Sequence, residues 1–572
     1  MGEGRRISIR VPALTRVEGE GALELEIDDR GIRELRLRIF EPPRYFEKLL
    51  EGRDPGELLD AVARICGICP VAYQMSASQA IEQAFGMVPD PWITAMRRVF
   101  YCGEWLQSHA LHIHLLALPD FLGFDDAMAM AGEHPEVLRR GLRLQALGND
   151  LIALFGGRSV HPVGVVPGGF ARAPAAAAVA ALRERLLDAR DEAEALLAWC
   201  ATLPLPEIRQ AFVSVALRHP EEYPLYAGSI VSSDGLAIDA ADFEAHFSER
   251  QQPYSTALHA HLHGRPYLVG PLARLNLNHD RLPPPVAAAL RATGLRATGL
   301  SFPSANPFHG IVARAVEILL AVHEAARLLA DYQPHTPAQP WRAREGVGFG
   351  ATEAPRGLLW HRYQFDDAGR VRQARIRTAH QSEPGTDRRR PAPEPGGLRP
   401  ATPGGGSAPS RRAGDTQLRS LHLLRHPFPA AESAPAMRRL LLAGIGSHHP
   451  GDRAGWQALK RLEEWPPADS GWEGVHRRIL HPGLDLLPAL REVDAALLLD
   501  ALPPGATASR LLRDHDLLTA PVTGSAHALG VSEALALAQP LGLLPPRLVL
   551  LGLGNDWEAC LLRLAQQALQ RM

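Results

Sequence analysis

The segment 377–415, RTAHQSEPGTDRRRPAPEPGGLRPATPGGGSAPSRRAGD, is rich in Pro, Gly, Ser and Arg and almost lacks large apolar residues. Such a stretch buries too little surface to offset the entropy of ordering it, so it cannot join a packed core. It therefore divides the 572-residue chain, already longer than one hydrophobic core usually supports. The expected organisation is a first domain over 1–376, a low-complexity linker over 377–436 and a second domain over 437–572.

Residues 5–40 alternate polar and apolar around the turn Asp28-Asp29-Arg30-Gly31, as a β-hairpin or small sheet does. From about 57 to 120, from 172 to 202 and in VARAVEILLAVHEAARLLADY (312–332), apolar residues recur at helical spacing. Residues 340–376 return to alternation around DDAGR. The predicted first domain is α+β, mainly helical with small β units. From Met437 the pattern becomes strand LLLAGIG, helix, strand AALLLDAL, helix, strand RLVLLGLG, which predicts an α/β domain around a mostly parallel sheet.

A net charge of −2 gives no general field for nucleic acid or an anionic membrane. The opening MGEGRRISIRVPALTRVEG has no apolar signal core, and LGLLPPRLVLLGLG is too short and interrupted to span a bilayer. These features predict a cytoplasmic chain with no membrane span and no nucleic-acid partner. Five cysteines in this length are no disulfide framework, yet Cys66 and Cys69 sit three apart in RICGICP. A C-x-x-C turn can place two thiolates on one soft metal ion; alone it is equally a zinc half-site or two small buried residues.

Around it stand TRVEGEG (15–21), RYFEKLLEGRDP (44–55), SHALHIHLLALPDFLGF (108–124), GGRSVHPVGVVPGGF (156–170), ARLNLN (273–278), NPFHGIVARAVEI (306–318) and EAPRGLLWH (353–361). In order and content these resemble the large subunit of nickel–iron hydrogenases, across nearly all of 5–376. RICGICPVAYQMSA looks most like the cytoplasmic branch that couples hydrogen to NAD(P) or sulfur, and Tyr73, where many relatives carry histidine, fits that branch. The resemblance implies a nickel–iron centre with CN and CO on iron, held by four thiolates from two C-x-x-C pairs. It implies Cys66 as a terminal nickel ligand and Cys69 as a bridge, Glu18 as proton carrier, Glu47 at a magnesium site, and Arg356 over the centre. A guanidinium suits a buried anionic ligand. The partners implied are H2, a small subunit with iron–sulfur clusters, and flavin- or NAD(P)-linked diaphorase subunits. His109 and His112, one helical turn apart, are expected to be core histidines.

The second cysteine pair is absent: no cysteine stands between Cys200 and Cys560. Back-translation of Arg377–Pro391 with permitted codons and a one-base shift yields VPPTSQNQARIEEDL. The same shift turns Asp415–Phe428 into TRNYDPCISCATHF, which contains the missing motif. A frameshift near residue 376 is expected to have carried the tail out of frame and into an overlapping gene at Met437.

MRRLLLAGIGSHHPGDRAGW (437–456), ALLLDALPPGA (496–506) and GSAHALGVSEALALA (524–538) resemble hydrogenase maturation proteases. That resemblance implies nickel recognition by Asp452, Asp500 and His527 near the sheet's C-terminal edge. Taken alone, Asp500 reads sooner as a helix cap or turn residue and His527 as an ordinary polar loop residue. Two other functions stay open: endopeptidase activity of the second domain alone, and a metal-free scaffold related to the quinone module of respiratory complex I, against which the retained RICGIC speaks.

Overall fold

The computed structural model describes residues 7–14, 20–28, 31–41, 45–294, 301–377, 439–445, 454–463, 465–466, 472, 474–480, 486–490, 493–501, 510–512, 531–539, 541, 543–553 and 556–571. Glu18, Asp452, His527 and the linker from 378 onward lie outside them.

Strands β1 (Ile7–Val11), β2 (Gly21–Asp28) and β3 (Gly31–Ile39) form an antiparallel sheet, as the alternation predicted. The helical body contains α1 (Pro55–Val62), α2 (Pro70–Phe85), α3 (Pro91–Leu111), α4 (Pro135–Gly156), α5 (Ala176–Cys200), α6 (Pro271–Asn278) and α7 (Gly310–Leu328). Local chemistry sets its boundaries. Asp54 and Glu57 make a reciprocal capping box on α1, and the Asp90 side chain accepts from Ile93 N–H at 2.9 Å on α3. Proline occupies the first turn of α1 to α4, where a missing N–H costs nothing. Gly103 on α3 and Gly148 on α4 let the two backbones touch: a Cβ on Gly148 would lie 2.6 Å from the Gly103 carbonyl.

The middle is not purely helical as expected. Strands β4 (Val215–Arg218) and β5 (Ser229–Ser232) pair antiparallel, and Phe247–Gln251 pairs with Leu258–Leu262. At four or five residues each, these strands are too short to leave a periodic signal.

Strands β6 (Gly346–Ala354), β7 (Gly357–Phe365) and β8 (Val371–Arg377) form the predicted small β unit, with the DDAGR turn between β7 and β8. Gly346, Gly348 and Gly350 put the backbone of β6 directly on α2. A Cβ at these positions would stand 2.8, 1.8 and 2.0 Å from the carbonyls of Ala84, Ala80 and Ser76. Two strand residues advance about 6.6 Å and four helical residues about 6 Å, so the two periods stay in step. Thr352 continues the ladder, its Oγ1 2.7 Å from Ser76 Oγ and 3.4 Å from the Ala72 carbonyl. The register thus carries the β6–β7 turn to the start of α2, where Cys69 stands.

After residue 439 the chain builds a five-stranded sheet from β9 (Arg439–Ile445), β10 (Gly474–Leu480), β11 (Ala495–Ala501), β12 (Arg510–Leu512) and β13 (Arg547–Leu553). Their order is β10-β9-β11-β13-β12, parallel except for the last pair. The mostly parallel α/β unit read from the sequence is present; β10 and β12 were not anticipated. Among the described residues no helix is long and apolar enough to cross a membrane.

Candidate metal centre

Cys66 and Cys69 occupy the turn between α1 and α2, with Cα atoms 5.4 Å apart. The structure joins their sulfurs in a disulfide, where two metal-binding thiolates were expected. Spacing explains both readings, because a three-residue turn brings the sulfurs to one point whether a bond or an ion holds them. The Cys69 amide donates to Cys66 Sγ at 3.0 Å, a contact that favours a thiolate once the pair is reduced.

Helix α3 holds this turn and the start of α2 through two side chains, and a third meets Arg356. Gln107 Nε2 donates to the Ile68 carbonyl at 2.6 Å. The buried Glu104 carboxylate accepts from Val71 N–H at 2.6 Å and Ala72 N–H at 3.1 Å, satisfying amides that the first turn of α2 leaves open. Burial pushes the Glu104 carboxyl well above the usual range, and these two amides pull it back only in part. Ser108 Oγ accepts from Arg356 Nη1 at 3.2 Å. Arg356 itself sits in the β6–β7 turn, and so reaches the same helix from the opposite side.

Segment 156–170 supports the turn from outside. Gln74 Nε2 donates to the Pro162 carbonyl at 2.8 Å, and His161 Nδ1 lies 2.7 Å from the Ala63 carbonyl.

Behind Arg356 lies a charge cluster that the sequence reading did not single out, although its members stand in the quoted motifs ARLNLN, NPFHGIVARAVEI and EAPRGLLWH. Arg274 pairs with Glu317 at 2.7 Å and with Glu353 at 2.9 Å, all fully buried. His109 Nε2 lies 2.9 Å from Glu317, and Tyr223 Oη donates to Glu317 at 2.8 Å. Burial alone would raise Glu317, but Arg274 and His109 outweigh it and hold the carboxyl at about 2. Burial prevails at Glu353, which Arg274 draws back only to about 7. Burial also keeps His109 neutral, at about 4 despite Glu317. His109 is fully buried and His112 half-buried, and the Nδ1 of each is enclosed without a hydrogen-bond partner. Cys102 and Cys200 are free and buried.

Glu47 accepts from the Ile376 amide at 2.8 Å and from Arg377 Nη1 at 3.2 Å, with Arg375 Nη1 at 3.8 Å. Two guanidinium groups facing one carboxylate do not fit a magnesium ion. The nickel–iron centre meets a similar limit. Among the described residues no three His, Cys, Asp or Glu side chains group as metal ligands, so the donors present amount to one cysteine pair.

In the second unit, Asp500 stands at the C-terminal end of the parallel strand β11, opposite Gly552 of β13. Its Oδ1 accepts from the Ala501 amide at 2.9 Å. The partners expected for it, Asp452 and His527, lie outside the described residues. Gly455 serves close packing: a Cβ there would lie 2.2 Å from the Ile445 carbonyl and 2.3 Å from that of Leu499.

The pattern of the nickel-dependent hydrogenase family matches residues 44–138, which include the C-x-x-C turn and all of α3. The alpha subunit of sulfhydrogenase 1 from Pyrococcus furiosus is 32% identical over 377 residues, covering 65% of this chain and 87% of that protein. The beta subunit of the NAD-reducing hydrogenase HoxS from Cupriavidus necator is 27% identical over 413 residues, covering 63% and 82%. Among solved structures, an NAD+-reducing [NiFe]-hydrogenase in the H2-reduced state superposes with a TM-score of 0.59 at 28% identity, covering 66% of this chain and 90% of that one. On this likeness, the chain belongs to the nickel-dependent hydrogenases, as a relative of their large subunits.

Proposed function

We propose that residues 1–376 are the large-subunit domain of a nickel–iron hydrogenase. Its parent enzyme oxidises H2 reversibly and passes electrons to an iron–sulfur partner subunit, then through diaphorase subunits to NAD(P) or sulfur. The observation that supports this most is the meeting of the C-x-x-C turn and Arg356 on one helix, through Ile68 to Gln107 and Arg356 to Ser108. In that reading Cys66 and Cys69 hold nickel and iron, Glu18 carries protons, and Arg356 faces the CN ligands of iron. When bound, such a centre supplies heterolytic cleavage of H2.

The chain as it stands holds half of the donors and is impaired. The one-base frameshift near residue 376 accounts for this, with 377–436 as an out-of-frame linker. Arg377 would be the first residue of the altered frame, and its removal would relieve Glu47 of one of its two cationic neighbours. Magnesium binding at Glu47 is thus assigned to the frame-restored protein only. Residues 437–572 are a maturation-protease-like domain in which Asp452, Asp500 and His527 would recognise nickel, and Asp500 at a strand end is the feature that favours it.

Resequencing the locus tests the frameshift. Restoring the frame tests the function: the restored chain, matured with its partner subunits, is expected to take up nickel and iron and reduce dye with H2. A restored chain that loads neither metal would refute the assignment.

A further inference from the structure

Arg274 divides its guanidinium between Glu317 on α7 and the segment that leads into Arg356. Nε and Nη2 donate to the two Glu317 oxygens at 2.8 and 2.7 Å. Nη1 donates to Glu353 Oε2 and to the Ala354 carbonyl, both at 2.9 Å, and Nη2 also reaches the Pro355 carbonyl at 3.2 Å. The guanidinium carbon stands 4.4 Å over the Trp105 ring, and Trp105 Nε1 donates to the Glu353 carbonyl at 2.9 Å. Glu353, Ala354 and Pro355, the three residues preceding Arg356, are therefore each gripped from α6 or α3.

The backbone closes the other side. Gly270, with φ +96°, is the residue before α6, and a Cβ there would stand 2.8 Å from the Arg356 carbonyl. Gly357, with φ +141°, would clash at 2.5 Å with the Val269 side chain. The start of α6 and the turn carrying Arg356 thus pack closely because Gly270 and Gly357 carry no side chain.

We propose that Arg274 is a positioning residue: it fixes the β6–β7 turn so that Arg356 reaches Ser108 on the helix that also holds the C-x-x-C turn. The functional weight of this rests on the assignment of Arg356 to the metal centre. A planar fork is required, because four groups at different bearings must be met by one cation. A lysine ammonium is a point charge with three donors and cannot span them. Charge alone does not explain the arrangement either. Glu317 is already matched by one bidentate contact, yet two of the five bonds go to main-chain carbonyls of the turn.

The test uses the full chain. Amide hydrogen exchange is measured for Arg274→Lys and, independently, for Gly270→Ala, which reaches the turn from the other side and leaves the charge cluster intact. In both, exchange at the amides of residues 354, 356 and 357 is expected to rise about tenfold or more, while α3 and the β7–β8 hairpin keep wild-type protection. A crystal structure of either variant is expected to show the 3.2 Å contact from Arg356 to Ser108 broken. Wild-type exchange at 354, 356 and 357 in a folded Arg274→Lys would overturn the proposal. So would protection lost evenly across the helical body, which marks a merely structural role. Should Arg274→Lys not fold, Arg274→Gln, which meets fewer of the four groups, decides, and unchanged exchange at the turn in that variant overturns the proposal. The role of Arg356 is a separate question, answered by Arg356→Met in a frame-restored chain: full activity there would remove Arg356 from the chemistry without touching its placement by Arg274.

Discussion

Gln107 Nε2 donates to the Ile68 carbonyl at 2.6 Å, so the middle of the C-x-x-C turn hangs from a buried helix. Removing that donor frees the turn without creating a void near either sulfur. Gln107→Leu is expected to leave the fold intact and to speed labelling of Cys66 and Cys69 under mild reductant by about tenfold, the equivalent of one net hydrogen bond. Thiol labelling followed by mass spectrometry checks this, and an unchanged rate would mean the turn is rigid on its own.

Glu104 caps the same region from beneath. Glu104→Leu strands the Val71 and Ala72 amides in a dry interior and is expected to cost about 2–4 kcal/mol. Glu104→Gln keeps an acceptor and is expected to cost about half as much. Denaturant titration of both variants measures the difference.

Gly348→Ala is expected to be among the most damaging single-methyl changes in the protein. Its Cβ would lie 1.8 Å from the Ala80 carbonyl, a backbone atom that cannot swing away. The loss is expected to exceed about 3 kcal/mol, whereas Val347→Ala, at an exposed neighbour, should stay within about 0.5 kcal/mol. Soluble yield and thermal midpoint of the two variants distinguish them.

Stability should fall on acidification. His109, His114 and His361 are buried and neutral, held at about 4, about 3 and about 3 against an ordinary 6.5. Below pH 6.5 the unfolded chain takes up protons that the folded chain refuses, so stability present above that pH is lost as pH drops toward 4. Glu353 works the other way: it keeps its proton up to about 7 against an ordinary 4.5, so its penalty shrinks on acidification. Glu104, raised by burial, joins Glu353, and His112, lowered by burial, joins the other three; four histidines outweigh two carboxyls, and stability falls from pH 7.5 to 5.5. A thermal midpoint that is equal or higher at pH 5.5 would contradict this.

Much of the architecture was legible because periodicity reports burial. The long helices, the opening sheet and the parallel unit after Met437 all follow apolar spacing. The short strands near 215–262 do not, being fixed by tertiary partners. GVGFG reads locally as a weak strand, and only the helix beneath it shows that glycine at every second position matches carbonyls at every fourth. The proposed site rests on motifs: Cys66, Cys69 and Arg356 stand in family patterns. Arg274, Glu317 and Glu353 stand in those patterns too, but their pairing links residues far apart in the chain, which spacing cannot reveal. Glu104 and Gln107 carried no local signal, since a polar residue on a helix of unknown facing looks like surface.

Metal content decides the central claim. The purified chain, reduced and offered nickel and iron by the maturation machinery of a hydrogenase-producing host, is analysed for both metals and for dye reduction under H2. With one cysteine pair available, the result expected is well below one nickel and one iron per chain and no H2-dependent reduction. Stoichiometric nickel and iron with hydrogen oxidation would show that the chain completes its centre from residues not identified above, and would contradict the account.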